Sequence, residues 1–235
     1  TFDNAYWTAP NSSVTANTQV APNGTTTAYT WAENTATSTH RFRLQNDLTL
    51  AVGTVCTASI YMKYNGRAVI GVKLVEASET NGTTAAFNIQ TGVISTAAAN
   101  SGSGTGAAAT ITSGGNGWYR CTISGSTGVA ALGFRISLND TNSYTGDGVS
   151  GAFLWGAQLE FGTATSVYTV TTSTVPAYTN SGATCLGLLM EASRTNLIIN
   201  TQAFNSGDWL PVRTTVTADA ATAPDGTTTA DKLVE

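Results

Sequence analysis

The sequence predicts an all-β chain: an antiparallel β-sandwich of the jelly-roll kind, then an extended connector and the start of a second, similar unit. Three observations lead there. Apolar and polar residues alternate with a period of two through most of positions 1–165, as in strands buried on one face. Clusters of Gly, Asn and Asp interrupt the alternation at short intervals, where tight turns need them. Residues 2–33 also return at 204–235: at an offset of 202, without a gap, 13 of 32 positions are identical, including Phe2/Phe204, Trp7/Trp209 and the octapeptides "APNGTTTA" (21–28) and "APDGTTTA" (223–230). Repetition at a fixed offset marks a repeated structural unit. We therefore expect one complete unit plus the opening of the next, in a window of a longer protein or a processed piece of one.

The elements follow in order. Strands are expected near 13–20 and 26–33, joined by a turn in which Pro22 fixes φ and Gly24 accepts a positive one. "THRFRLQ" places His40, Phe42 and Leu44 inward and Arg41 and Arg43 outward. "VCTASIYMKY" puts Cys56, Ala58, Ile60, Met62 and Tyr64 on one face and Thr57, Ser59, Tyr61 and Lys63 on the other. Further strands are expected at 68–76 and 84–90. Residues 96–117 are low in complexity and read as a loop, since no helix or Lys-Ser/Thr follows their glycines as a phosphate-binding loop requires. "WYRCTIS" buries Tyr119, Cys121 and Ile123 and turns Trp118, Arg120 and Thr122 outward; "ALGFRISL" directs Leu132, Phe134, Ile136 and Leu138 to the core and Arg135 away from it. "AFLWGAQLEF" is apolar on both phases and reads as a strand covered on both sides. The expected domains are a sandwich over 1–165, a connector over 166–203 whose apolar segment 186–192 packs on a sandwich face, and the first strands of a second unit over 204–235.

Composition narrows the function. Charged residues make up 10% of the chain, against about 25% in ordinary domains, while hydrophobic residues make up 41% and the net charge is -4. That excludes the low-hydrophobicity, high-charge signature of disorder. Polarity carried by Thr, Ser, Asn and Gly suits an exposed β surface and points to a secreted or virion-exposed protein. Ten basic residues and a pI near 4.9 argue against a nucleic-acid partner. No apolar run approaches the ~20 residues of a membrane-spanning helix, so membrane insertion is not expected.

Little in the chain looks catalytic. His40 is the single histidine and points inward, where a Ser-His-Asp or Cys-His device would need it accessible. Glu76, Glu79, Asp140, Asp147 and Glu160 could supply the paired carboxylates of a glycosidase only if two of them flanked a cleft; no enzyme is expected. The loop "NDTNSYTGDG" gathers Asp140, Asn142 and Asp147, oxygen donors of the kind calcium takes; an Asx-rich turn explains the same residues. Cys56, Cys121 and Cys185 lack the spacing and companion histidines of a zinc site. Cys56 and Cys121 read as buried thiols, with a bridge between them as the alternative that strand phase alone does not decide. The outward phases hold Arg41, Arg43, Tyr61, Lys63, Trp118, Arg120 and Arg135, a set suited either to a sugar or to a protein interface.

"NGWYRCTIS", "YTGDGVSGAFLWGAQLEFGTATSVY", "GLLMEASRTNLIINTQAFNSGDW" and "TAPDGTTTADKLVE" together resemble a domain common in tailed-phage fibre, tail and head-spike proteins, itself similar to carbohydrate-binding-module jelly rolls. The resemblance spans nearly the whole chain. It implies no cofactor beyond a structural Ca2+, for which Asp3 and Glu160 match acidic positions by place; Asn205 stands in the second copy where Asp3 stands in the first. It also implies a non-enzymatic repeat unit of an extracellular or virion fibre that contacts copies of itself, or else a module that binds surface polysaccharide.

Overall fold

A computed structural model describes residues 2–141, 143–170, 179–180, 204–205, 207, 209–224 and 226–235. Two compact units divide the chain, Thr1–Cys185 and Leu186–Glu235. The first contains β1 (Trp7–Thr8), β2 (Ser12–Gln19), β3 (Ala28–Glu33), β4 (Thr37–Ser38), β5 (Arg41–Leu44), β6 (Leu48–Thr49), β7 (Cys56–Asn65), β8 (Val69–Val75), β9 (Gly82–Asn88), β10 (Val93–Ser101), β11 (Thr105–Gly115), β12 (Trp118–Ser126), β13 (Ala131–Leu138), β14 (Tyr144–Thr145), β15 (Gly151–Phe161) and β16 (Thr179–Asn180). The second contains β17 (Thr215–Ala221) and β18 (Ala230–Val234). The described residues form no α-helix; a single 3-10 turn covers Asn139–Thr141.

The chain is a β-sandwich. Sheet 1 runs β1-β5-β13-β8-β9-β10, with β6 also beside β13; sheet 2 runs β11-β12-β7-β15-β3-β2, with β16 beside β15. Among the described residues the strands pair antiparallel except for the short β15–β16 contact, and one isolated parallel bridge joins Gly66 to Gly151. The alternation read from the sequence decides which side chains meet. Phe42, Ile70, Val72, Leu74, Phe87, Phe134 and Ile136 from sheet 1 face Trp31, Ile60, Met62, Cys121, Ile123 and Leu154 from sheet 2 in one core. Trp7 stacks on Phe42 at 4.8 Å, and Phe2 meets both Trp7 and Phe42 edge-on, sealing one corner of that core.

The stretch expected as a loop is mostly strand. Within 96–117, β10 completes its pairing with β9 and β11 pairs with β12 along almost its whole length. Ala and Gly are poor strand formers and, mixed with Ser and Thr, show no apolar–polar alternation, so pairing with a neighbour decides the structure here. Both strands are largely exposed edge elements, which is why small polar residues suffice.

The second unit repeats the first in three dimensions. Ser13↔Ala32, Val14↔Trp31, Thr15↔Thr30 and Gln19↔Ala28 in β2–β3 become Thr215↔Val234, Val216↔Leu233, Thr217↔Lys232 and Ala221↔Ala230 in β17–β18, each shifted by 202 and with the bulge in the same place. At the bulge Asn17 and Asp219 take φ of 54° and 51°. The octapeptide turns match as well: Ala21 N–H donates to Thr25 O at 2.8 Å and Gly24 N–H to Ala21 O at 2.9 Å, while Ala223 donates to Thr227 at 2.7 Å and Gly226 to Ala223 at 2.9 Å. The Phe2–Trp7 ring contact of 5.3 Å recurs as Phe204–Trp209 at 5.0 Å. The apolar connector segment 186–192 and Cys185 lie outside the described residues.

Cys56 and Cys121 are both buried and free. Cys121 sits opposite Ile60 and Cys56 opposite Gly125, so the two are four positions apart along the paired strands. At ~3.3 Å per residue that is about 13 Å, beyond the ~7 Å that a disulfide spans between Cα atoms. Burial raises the Cys56 thiol to about 11 and pushes Cys121 higher still. In a Cys185→Ser protein, a thiol reagent at neutral pH should label neither cysteine until denaturant is added and both afterwards. Rapid labelling of the native protein, or none of the denatured one, would contradict this arrangement.

Candidate functional site

The seven outward residues do not form one patch. Arg41, Arg43 and Arg135 lie on the outer face of sheet 1, on β5 and β13, whereas Tyr61, Lys63, Trp118 and Arg120 lie on the outer face of sheet 2, on β7 and β12. The phase was read correctly for all seven, but exposure was not. Trp118 is 1% exposed and Arg135 3%, because loops fold over both outer faces.

On sheet 2 the covering loop is the octapeptide itself. The Trp118 indole N–H donates to Val20 O at 3.0 Å, and the Trp155 indole N–H donates to Thr27 Oγ1 at 3.1 Å. Trp118, Ala21 and Ala28 form a second apolar cluster, with Tyr61, Phe153 and Trp155 packed against it. Beyond the loop the face stays partly open. Tyr61 meets Trp155 edge-on at 5.3 Å, Trp155 meets Tyr168 at 4.5 Å, and the Arg120 guanidinium lies 5.7 Å from the Tyr61 ring while donating to Ser59 Oγ at 2.9 Å. Gly156, at φ 61°, makes this closeness achievable: a Cβ there would come within 3.2 Å of Tyr61 and 3.4 Å of Tyr168.

Sequence reading missed Phe153, Trp155 and Tyr168. The signal was present in "AFLWGAQLEF", where Phe153 and Trp155 share a phase. The bulge between Trp155 and Gln158 then moves Gln158 onto the outer face opposite Ser59, and no simple alternation survives it.

On sheet 1 the covering group is Glu79, in the turn between β8 and β9. Its carboxylate takes Arg41 at 2.6 Å, Lys73 at 3.0 Å and Arg135 at 3.2 Å; Arg135 also reaches Asp47 at 3.0 Å. Glu76 holds that turn in shape by accepting from Ser78, Thr80 and Asn81. Burial pushes both carboxyls up, but the donors outweigh it: Glu76 falls to about 2 and Glu79 lies below the ordinary value.

A third cluster closes one end of the sandwich, and the sequence did not reveal it. The Glu33 carboxylate, 2% exposed as a residue, receives Arg67 Nε at 2.8 Å and Arg67 Nη2 at 2.5 Å, the Asp147 N–H at 2.8 Å and the Tyr144 hydroxyl. Burial raises its pKa, and the Arg67, Tyr144 and Asp147 hydrogen bonds more than reverse that, leaving it below the ordinary carboxylate value. Arg67 also lies 4.8 Å over the Tyr144 ring, next to which His40 sits fully buried at 4.7 Å. His40 Nε2 donates to the Asn34 carbonyl at 3.1 Å, and its buried Nδ1 has no hydrogen-bond partner among the described residues.

The oxygen donors named for calcium are dispersed. Asp147 accepts from Val149 N, Ser150 N and Ser150 Oγ and lies 3.8 Å from the cationic Arg67. Asp140 accepts from Thr96 at 3.4 Å, Asp3 accepts from Tyr29 at 3.2 Å, and Glu160 accepts the Ser166 N–H at 3.1 Å. Asn142 lies outside the described residues. Among the described residues no three His, Cys, Asp or Glu side chains come together as a metal group.

Compared with protein-family models the chain matches none, and compared with curated proteins it finds no significant match.

Replacing Arg67 by Met should destabilise the protein by about 3–5 kcal/mol at pH 7, since it strands a buried carboxylate. Tyr144→Phe should cost about 1–3 kcal/mol. Lowered folded-state pKa values mean that Glu33, Glu76 and Glu79 stabilise the fold fully above about pH 4.5 and lose that contribution as pH falls, Glu76 last, near pH 2. Urea titrations should therefore show the gap between wild type and Arg67→Met narrowing below about pH 4.5; a gap that stays constant would rule out Glu33 as its source.

Proposed function

We propose that this chain is a structural repeat of an extended assembly, a fibre or filament on a virion or cell exterior, and that it carries out no reaction of its own. One observation carries the reading: 204–235 rebuilds the β2–β3 hairpin pair for pair, with its core-facing residues uncovered. Phe2 is 8% exposed and Trp31 0%, whereas their equivalents Phe204 and Leu233 are 41% and 64% exposed. In the first unit those positions are covered by β15 and the facing sheet. A two-stranded hairpin alone is at best marginally stable, and covering each such side chain contributes about 1.5–3 kcal/mol. The surface that would stabilise it is of the same kind, a sandwich of a repeat array whose stability rests on nearest-neighbour contacts. Glu235 keeps the place that Glu33 holds in the first unit, so the neighbour would also supply a cation in the position of Arg67. The depressed carboxyls fit a non-catalytic role, since a general acid at neutral pH needs a raised one.

A second reading, a module that binds surface polysaccharide, is favoured by the Tyr61–Trp155–Tyr168 group with Arg120 at its rim. Aromatic rings pack on the apolar faces of sugars while a guanidinium reaches their hydroxyls.

Removing 204–235 should leave the melting temperature of the sandwich unchanged and abolish concentration-dependent association in sedimentation experiments. Unfolding of the sandwich on deletion, or monomers at all concentrations with the segment present, would overturn the repeat reading. For the second reading, Trp155→Ala should reduce retention on an immobilised polysaccharide at least about ten-fold, or ~1.4 kcal/mol; unchanged retention removes it.

A further inference from the structure

A straight row of side chains crosses the outer face of sheet 1. The registers Thr8↔Arg43, Arg43↔Arg135, Arg135↔Lys73 and Lys73↔Thr84 place a hydroxyl, three cations and a second hydroxyl directly opposite one another on five adjacent strands. Arg41 lies one step away, opposite Ser137. Like charges directly opposite on paired strands repel. Three carboxylates reach this face: Glu79 serves Arg41, Lys73 and Arg135, Asp47 serves Arg135, and Asp140 lies over Gly71 and accepts from Thr96. The half-buried Arg43 side chain has neither an ion pair nor a hydrogen bond among the described residues. Arg41 Nε and Arg135 Nε are buried without a partner. Arg43 is therefore the cation of this row that no carboxylate answers among the described residues, in a chain of net charge -4.

We propose that this face binds a carboxylate of an acidic saccharide, held by the Arg43 guanidinium with Arg41 beside it. Guanidinium forks match planar carboxylates bidentately, and Glu79 already shows that the cations of this row accept such a group. A sugar, rather than the acidic side chains of a second copy, fits the rest of the face. The partly exposed members of the row are Thr8, Arg41, Arg43, Lys73 and Thr84; the aliphatic side chains of the same face, Val69 and Val93, sit at its far side opposite Asn88 and not at the centre, where a protein interface has its apolar core. Thr8 and Thr84 offer the hydroxyl partners that a hydrated sugar uses. The site lies on the opposite sheet from the aromatic group and does not depend on the repeat reading.

The test uses the whole chain at low ionic strength. Calorimetric titration with an oligogalacturonate should show binding that weakens with added salt and falls at least ten-fold in Arg43→Gln, with partial retention in Arg43→Lys. A neutral galactose oligomer should not bind this site. Without any ligand, Arg43→Gln should melt higher than wild type at low salt, because one member of the repelling row is gone. The oligogalacturonate should raise the melting temperature of wild type only. Absence of binding, equal binding by Arg43→Gln, equal binding of the neutral oligomer, or acetate matching the oligomer in affinity would each overturn the saccharide assignment. A salt-sensitive dimer that forms in place of saccharide binding and is lost in Arg43→Gln would overturn it in favour of a second copy. An Arg43→Gln protein no more stable than wild type would show that the row is already compensated.

Discussion

The buried Glu33 carboxylate constrains the rest of the sandwich. A carboxylate withdrawn from water must have its lone pairs answered or it unfolds the structure around it, and Glu33 is answered by groups from three separate stretches: Arg67 after β7, Tyr144 of β14 and the Asp147 amide. Backbone bonds run through the same place, from Glu33 N–H to Ser150 O and from Arg67 N–H to Gly151 O. Together they fix where β15 begins between β3 and β7. Since one residue of slip would exchange the two faces of that strand, the same cluster determines that Leu154 enters the core while Phe153 and Trp155 face outward.

The two outer faces then acquire opposite chemistry by the same device. Each is overlain by a turn that accepts from outward side chains: Val20, just before the octapeptide, accepts from Trp118 and Thr27 within it from Trp155, and the Glu79 turn accepts from Arg41, Lys73 and Arg135. One loop presents carbonyl and hydroxyl oxygens to indole N–H groups and builds an aromatic surface. The other presents a carboxylate to cations and builds a charged one.

The duplicated octapeptide has a physical role in this arrangement. Its Pro-x-Gly core forms the same turn in both copies, and the bulge that precedes it has the same positive-φ residue. In the first copy the turn is pressed against tryptophans contributed by β12 and β15. Residues 204–235 repeat the hairpin that carries the turn, not the strands that contribute those tryptophans.

Much of the fold was legible in the sequence, because period-two alternation is enforced by core burial itself: the inward faces of β5, β13 and most of β7 and β12 read correctly from their residues alone, as did the burial of His40 and of both thiols, whereas Tyr64 at the end of β7 is exposed. The repeat too was visible as letters before it was visible as register. What the sequence left undetermined had one common cause. Outward phase does not mean exposure once a distant loop folds back, so Trp118 and Arg135 were misjudged; weakly patterned β10 and β11 become strands only through their neighbours; and Glu33, Arg67 and Tyr144, separated along the chain, meet only because two sheets stack. Local periodicity fixes which way a side chain points, whereas only the packing of remote segments decides what it meets there.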